Sequence, residues 1–102
     1  MISRHWRGIT KPGEAENYLA HLRQHTFPQL ERIDGFRRAS ILNREVTNGI
    51  EFLIVTTWES NEAIRRFAGA SLNSAVVPPE AQAMMLEYDK EVAHYEVVEG
   101  GV

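Results

Sequence analysis

EFLIVTTWESNEAIRRFAG, residues 51–69, is the stretch that decides the fold. Residues 52–58 are apolar, β-branched or aromatic at nearly every position, which predicts a strand covered on both faces. Ser60 can cap a helix, and Glu62 in the next turn is favoured by the helix dipole. Apolar residues then recur at helical spacing until a glycine ends the helix. Trp58 is therefore expected at the mouth between a sheet and a helix, where small-molecule pockets are common.

Two further strands and a helix are predicted before this stretch. Residues 2–9 have the composition of a first strand, and residues 10–14 contain a proline suited to the start of a helix. Pro28 is expected to break or kink that helix near residues 26–27. Residues 36–46 predict a second strand. The Thr-Asn-Gly that follows predicts a hairpin turn, because Asn-Gly tolerates positive φ.

The segment after the central stretch has a weaker pattern. Residues 70–77 are predicted to be loop or irregular helix, and Pro78-Pro79-Glu80 predicts a new helix start. This helix is expected to carry Ala81, Met84, Met85 and Tyr88 inward. Residues 92–98 predict the last strand, so the whole order is β-α-β-β-α-β.

This order predicts a ferredoxin-like α+β domain, an antiparallel sheet of strand order 4-1-3-2 with helices on one face. The chain of 102 residues has room for one domain, residues 1–102. Strand three has apolar residues at both its odd-numbered and its even-numbered positions. These point to opposite faces of the sheet, so both faces need to be covered. A homodimer with the two sheets packed face to face provides the second cover.

Composition excludes several classes of protein. The net charge is −3 without a Lys/Arg-rich stripe, so a nucleic-acid partner has no electrostatic support. Cysteine is absent, which excludes disulfides and thiolate chemistry. Charges interrupt the N-terminal stretch where a signal peptide needs apolar residues, and no apolar run approaches membrane-spanning length. We therefore expect a cytoplasmic protein that does not bind membranes.

WESNEAIRRFAG, set in this element order and length, resembles the antibiotic biosynthesis monooxygenase superfamily of dimeric α/β barrels. The closing stretch DKEVAHYEV, residues 89–97, is similar to its small bacterial members. The resemblance covers nearly the whole chain and implies the ferredoxin-like fold and a homodimer. It implies less about chemistry, because the superfamily includes cofactor-free oxygenases, haem-degrading enzymes and isomerases.

The resemblance assigns positions to the pocket. In the cofactor-free members that oxidise phenols, the motif Trp matches Trp58, whereas an Asn and a Tyr fall on Ile54 and Ile64. In the haem-degrading members, a first-strand Asn falls on His5 and a Trp falls on or beside Phe67. Their iron-ligating His falls near residues 76–77, which are valines here.

His5 and Arg7 are the predicted catalytic residues. Strand alternation places them on one face together with Ser3. His5 can act as a general base near neutral pH, and Arg7 can hold the resulting oxyanion. The substrate-binding wall is predicted to consist of Trp58, Phe67, Ile54 and Ile64. The structural alternative is a half-exposed histidine beside a surface arginine, with Trp58 as a core residue.

The remaining histidines predict no metal or cofactor site. His94 on the last strand is expected to make a cross-strand or interface hydrogen bond. His21 and His25 have a spacing that suits a metal pair, but the glutamate of a zinc-protease motif is missing between them. A solvated helix edge is expected there instead.

Three functional hypotheses follow. The first is a cofactor-independent monooxygenase acting on a small aromatic or polyketide-like substrate. The second is a haem-binding or haem-degrading enzyme. The third is a dimeric barrel that binds a small apolar or aromatic ligand without catalysis, which a pocket too small for an aromatic ring would favour.

Overall fold

An antiparallel sheet of five strands carries helices on one face. The computed structural model describes residues 1–101. The strands are β1 Ile2–Thr10, β2 Phe36–Val46, β3 Gly49–Trp58, β4 Met85–Tyr88 and β5 Ala93–Glu96. The helices are α1 Ala15–His21, a π-helical segment Leu22–Thr26, α2 Phe27–Glu31, α3 Asn61–Ala68 and α4 Pro79–Ala83.

The sheet order is β2-β3-β1-β4, with β5 also paired to β1. Strand β4 lies beside the end of β1 near Thr10, and β5 lies beside its beginning near Ile2. The predicted order 4-1-3-2 is therefore confirmed, except that two short strands share the outer position next to β1. The ferredoxin-like α+β class is confirmed as well.

The predicted helix after Pro78 is shorter than expected. Helix α4 ends at Ala83, and Met85–Tyr88 is a strand instead of a third helical turn. The prediction was wrong because Met85 and Tyr88 pair across the sheet with Thr10 and Gly8, and this pairing outweighs their helical spacing. The last strand is also shorter than residues 92–98.

The first helix is interrupted where Pro28 requires it. Proline has no N–H for the preceding turn, and its ring would clash with the carbonyl four residues earlier. The π-helical segment Leu22–Thr26 widens the helix immediately before α2, which contains Pro28 in its first turn. The predicted kink near residues 26–27 is thus confirmed, and the helical path continues beyond it.

The hairpin and the helix cap are confirmed in position. Val46 pairs with Gly49, so Thr47 and Asn48 form the turn. Within residues 1–101 only glycines have positive φ, so the positive φ expected for the hairpin asparagine is wrong. The Ser60 side chain accepts a hydrogen bond from the backbone N–H of Ala63 at 3.1 Å and begins α3.

The core lies between the helices and one face of the sheet, in two clusters. Alternate β3 residues supply both clusters, because successive side chains of a strand point to opposite faces. The first contains Tyr18, Leu22, Phe52, Ile54, Ala81 and Met85. The second contains Leu30, Trp58, Ala63 and Ile64. In the part of the chain described here, no helix is long and apolar enough to cross a membrane.

Gly49→Ala should destabilise the fold. A Cβ at this position would overlap the backbone carbonyl oxygen of Thr10, which cannot withdraw without disturbing β1. We expect a loss of about 1–3 kcal/mol in the free energy of unfolding, measured by urea denaturation. Gly100→Ala is the control, since its Cβ would make an ordinary 3.6 Å contact with Val97. Equal stability of the two variants would contradict the close approach.

Candidate functional site

A cleft with two adjoining chambers lies between the first helix, the segment 70–78 and the sheet. The inner chamber has a volume of about 60 Å³ and the outer one about 230 Å³. The two spaces lie side by side, because six residues line both of them: His21, Thr26, Phe67, Val76, Val77 and Pro78. The outer chamber additionally reaches His25, which is exposed.

The floor of the inner chamber is formed by neighbouring residues of β1 and β3. Arg4 pairs across the strands with Thr56, and Trp6 pairs with Ile54. All four residues line the inner chamber. Strand alternation explains the set, because positions two apart on a strand share a face.

Arg4 is a buried cation at the centre of this floor. Its side chain is 4 % exposed, and its Nη1 donates to the carbonyl oxygen of Leu72 at 2.7 Å and to Nε2 of His94 at 3.0 Å. Its Nη2 donates to the carbonyl oxygen of Ser74 at 2.7 Å. Among residues 1–101 no carboxylate forms an ion pair with it. Burial lowers the pKa of Arg4 to about 10, so the group keeps its charge at neutral pH.

His94 is held in its neutral form by this contact. An arginine only donates hydrogen bonds, so Nε2 of His94 must accept and carries no proton. Burial lowers the pKa of His94, and the charges of Arg4 and His5 lower it further. The predicted cross-strand hydrogen bond of His94 is confirmed, with Arg4 as the partner.

His21 is a second neutral imidazole, at the junction of the two chambers. Its side chain is 9 % exposed. Burial lowers the pKa of His21, as does His25, whereas Glu80 acts in the opposite direction. The prediction of a solvated helix edge is therefore wrong for His21. The segment 70–78 closes over this side of the helix, and its sequence has no periodicity from which that cover could be predicted.

Tyr18 adds a neutral hydroxyl to the inner chamber. It is buried beside Phe52 with ring centroids 5.0 Å apart, and burial raises the pKa of its hydroxyl. The chamber thus combines an unpaired cation with neutral polar groups and apolar walls. None of its lining residues is an aspartate or glutamate.

Two of the four predicted wall residues line the cleft, namely Ile54 and Phe67. Trp58 and Ile64 are fully buried in the second core cluster and lie behind the wall. Trp58 nevertheless contacts a residue that lines the cleft, because its Nε1 donates to Oγ1 of Thr56 at 2.9 Å. Its position at the end of the strand was predicted correctly, and its hydrogen bond could not be predicted.

His5 and Arg7 lie on the opposite face of the sheet. Nε2 of His5 is 2.8 Å from Oγ of Ser3, and Nε of Arg7 donates to a carboxylate oxygen of Glu51 at 2.7 Å. The expectation that His5 enters the pocket is wrong by one strand position, since Arg4 and Trp6 are the β1 residues that line the cleft. The catalytic roles of His5 and Arg7 stay predictions.

Sequence reasoning missed Arg4, Thr56 and Tyr18 as site residues. A signal exists for Arg4, because it shares a strand face with Trp6 and Ile2 and is the one charged residue among them. Within the described chain, no group of three or more His, Asp or Glu side chains is placed to hold a metal ion.

The family model for antibiotic biosynthesis monooxygenase matches residues 1–85. The chain belongs to this family. No protein of curated function matches the chain in sequence.

Two solved structures have a similar fold. SnoaB from Streptomyces nogalater, a cofactor-independent oxygenase, is 15% identical with a TM-score of 0.63, covering 97% of this chain and 94% of SnoaB. The haem degrader MhuD from Mycobacterium tuberculosis, with two haems bound, is 22% identical with a TM-score of 0.61, covering 100% of both chains. At such identities the likeness shows the fold alone.

The free energy of unfolding should fall when the pH is lowered from about 7.5 to about 5.5. The pKa values of His21 and His94 are lowered in the fold, so the unfolded chain binds more protons in this range. The stability is fully present above the unfolded pKa and is lost as the pH falls towards the folded values. Urea denaturation should show the slope, and His21→Leu and His94→Leu should each reduce it. An unchanged slope in both variants would remove these histidines as its source.

Proposed function

We propose that this chain is a cofactor-independent monooxygenase that oxidises a small acidic aromatic or polyketide-like substrate in the two-chambered cleft. The observation that carries the proposal is Arg4, a buried cation without a carboxylate partner, facing an apolar cavity beside a neutral imidazole. A buried charge is costly unless it is compensated. An anionic group of a bound substrate would compensate it.

The chamber volumes fit such a substrate in one orientation. A cavity of roughly 150 Å³ accommodates a benzene ring. The inner chamber, about 60 Å³, is too small for a ring, whereas the outer chamber, about 230 Å³, is large enough. The ring would therefore lie in the outer chamber between Phe67 and the valines, with its anionic group directed towards Arg4.

His21 is suited to be the general base in this arrangement. It lines both chambers, and its lowered pKa keeps the imidazole able to accept a proton near neutral pH. Removal of a proton from an activated CH₂ of a phenol tautomer leaves a carbanion. The carbanion donates an electron pair to O₂ and forms a hydroperoxide. Loss of water then gives a carbonyl, so that CH₂ and O₂ become C=O and H₂O.

The family supports this chemistry at a coarse level. SnoaB is a cofactor-independent oxygenase and MhuD is a haem degrader, so proteins of this fold include an oxygenase that needs no cofactor. The polar residues proposed here differ in position from those predicted by the resemblance. The proposed general base is His21 on the first helix, whereas the sequence predicted His5 on the first strand.

His21→Gln should lower kcat for oxidation of an anthrone-type substrate by about a hundredfold or more, as expected for loss of a general base. Arg4→Gln should mainly raise KM, because it removes binding of the anionic group. Oxygen uptake with anthrone and hydroxylated anthrones measures both effects. His5→Ala is the matched control and should change kcat by less than about twofold, since it lies on the other face.

Loss of turnover in His5→Ala with full activity in His21→Gln would overturn the assignment of the base. Absence of oxygen uptake with the whole panel, together with a shifted Soret band on addition of haemin, would favour the haem-degrading alternative. Absence of both would favour the non-catalytic binding protein.

We infer that the chain forms a homodimer through the sheet face opposite the cleft. This face contains Leu53 and Val55 of β3, flanked by Leu42, which is 49 % exposed, and Tyr95, which is 58 % exposed. Cross-strand pairing joins them, since Leu42 is opposite Leu53 and His5 is opposite Val55. Contiguous apolar surface of this kind is typical of interfaces.

Leu42→Glu should shift the protein towards the monomer by placing an unpaired charge in the apolar interface. Light scattering after size-exclusion chromatography should give the mass of two chains for the unmodified protein and a lower mass for the variant. Gln24→Glu, an exposed change on the helix side, should leave the mass unchanged. A monomeric unmodified protein would contradict the inference.

A further inference from the structure

The donors of Arg4 are only partly used by the protein. A guanidinium has five N–H groups. Nη1 donates to Leu72 and His94 and Nη2 donates once, to Ser74, which leaves Nε–H and one N–H of Nη2 without a partner. Within the described residues every fully buried side-chain nitrogen or oxygen has a partner. The free Nε–H is therefore not fully buried, and Arg4 lines the inner chamber.

The two free donors belong to neighbouring nitrogens of the guanidinium. Nε and Nη2 form one edge of the planar guanidinium, which matches the two oxygens of a carboxylate. One side of the guanidinium is covered by Phe67, whose ring centroid lies 5.9 Å from Cζ. The contacts with Leu72, Ser74 and His94 fix the side chain in advance, so a ligand would not have to order it.

Thr56 supplies a third donor beside Arg4. Its Oγ1 accepts the hydrogen bond from Nε1 of Trp58, so its own hydroxyl hydrogen is free to donate. Thr56 is 7 % exposed, lines the inner chamber and is the cross-strand partner of Arg4. Because an indole N–H can only donate, the hydroxyl oxygen of Thr56 accepts from Trp58, and its hydrogen points elsewhere.

The inner chamber therefore contains donors on its floor and no carboxylate among its lining residues. A neutral alcohol would use few of these donors, and a cation would be repelled by Arg4. A planar anion with two acceptor oxygens would use all of them. The small volume of the chamber, about 60 Å³, limits the group to a head group and excludes a ring.

We propose that the inner chamber is a carboxylate receptor, in which Arg4 and Thr56 bind the head group of an aromatic carboxylic acid whose ring lies in the outer chamber. The proposal deepens the proposed function, on which it rests, by assigning the substrate to the aryl carboxylates. Arg4 and Thr56 are then specificity residues, and they act on binding and orientation rather than on the oxidation step.

The test compares 1-naphthoate with 1-naphthamide by isothermal titration calorimetry without oxygen. The two ligands share shape, but the amide lacks the charge and replaces one acceptor by a donor. We expect naphthoate to bind about tenfold more tightly or better, as hydrogen bonds to a charged group imply. Arg4→Gln should abolish the preference, and Thr56→Val should reduce it by about threefold to tenfold.

Three controls keep the result interpretable. Thr56→Ser should retain the preference, because it restores the hydroxyl. Arg65→Gln removes an exposed arginine of α3 and should leave the affinity unchanged. Far-UV circular dichroism of Arg4→Gln checks that the segment 70–78 and β5 stay folded, and Thr56→Val provides an independent reading if they do not.

Equal affinity for naphthoate and naphthamide, or full displacement of naphthoate by inorganic phosphate at equal concentration, would overturn the carboxylate receptor. Failure of the receptor and failure of the oxygenase are distinguishable. Oxygen uptake with anthrones but without carboxylate preference overturns only the receptor. Carboxylate preference dependent on Arg4 and Thr56, without oxygen uptake by any substrate, supports the receptor and overturns only the monooxygenase.

Discussion

The cleft depends on one buried guanidinium. Arg4 comes from the central strand β1, and its hydrogen bonds reach two carbonyls of the segment 70–78 and the imidazole of β5. The outer wall is formed by Val76, Val77 and Pro78, which come shortly after Leu72 and Ser74 in the chain. The same side chain thus forms the floor of the cleft and holds its wall in place. A hydrophobic residue at this position would remove both contributions.

The positive charge of Arg4 is stabilised in the single chain by neutral groups alone. No carboxylate among the described residues neutralises it. Carbonyl dipoles, the ring of Phe67 and the unprotonated Nε2 of His94 all stabilise a cation, but none is an anion. The arrangement requires His94 to stay neutral, since a protonated imidazole cannot accept from Arg4. Acid would therefore weaken the wall through His94 and would also protonate His21. In the function that we propose, binding and proton transfer both depend on neutral histidines that burial maintains.

Strand pattern and turn chemistry predict most of the fold because they depend on neighbours in sequence. The apolar stretch of β3, the Ser60 cap and the interruption before Pro28 all follow from local sterics and hydrogen bonding. Alternation predicts that His5 and Arg4 point to opposite faces, and the apolar Ile2 and Trp6 beside Arg4 are the local signal that the helices cover its face. The hydrogen bonds of Arg4 to segment 70–78 could not be predicted, because they are long-range contacts without a local sequence pattern.

The site also shows how family membership can predict a cavity without predicting its chemistry. Ile54 and Ile64 are apolar at the positions where the resemblance predicts polar residues in phenol-oxidising members, and Ile64 is buried in the core. Polar groups instead enter the cleft from β1 and the first helix, as Arg4 and His21. Polar groups can enter such a cleft from different positions. The fold fixes which sheet and helix positions face the cleft, whereas the side chains at these positions can vary. The donors on the floor, Arg4 and Thr56, are then the residues that we propose select the ligand of this member of the family.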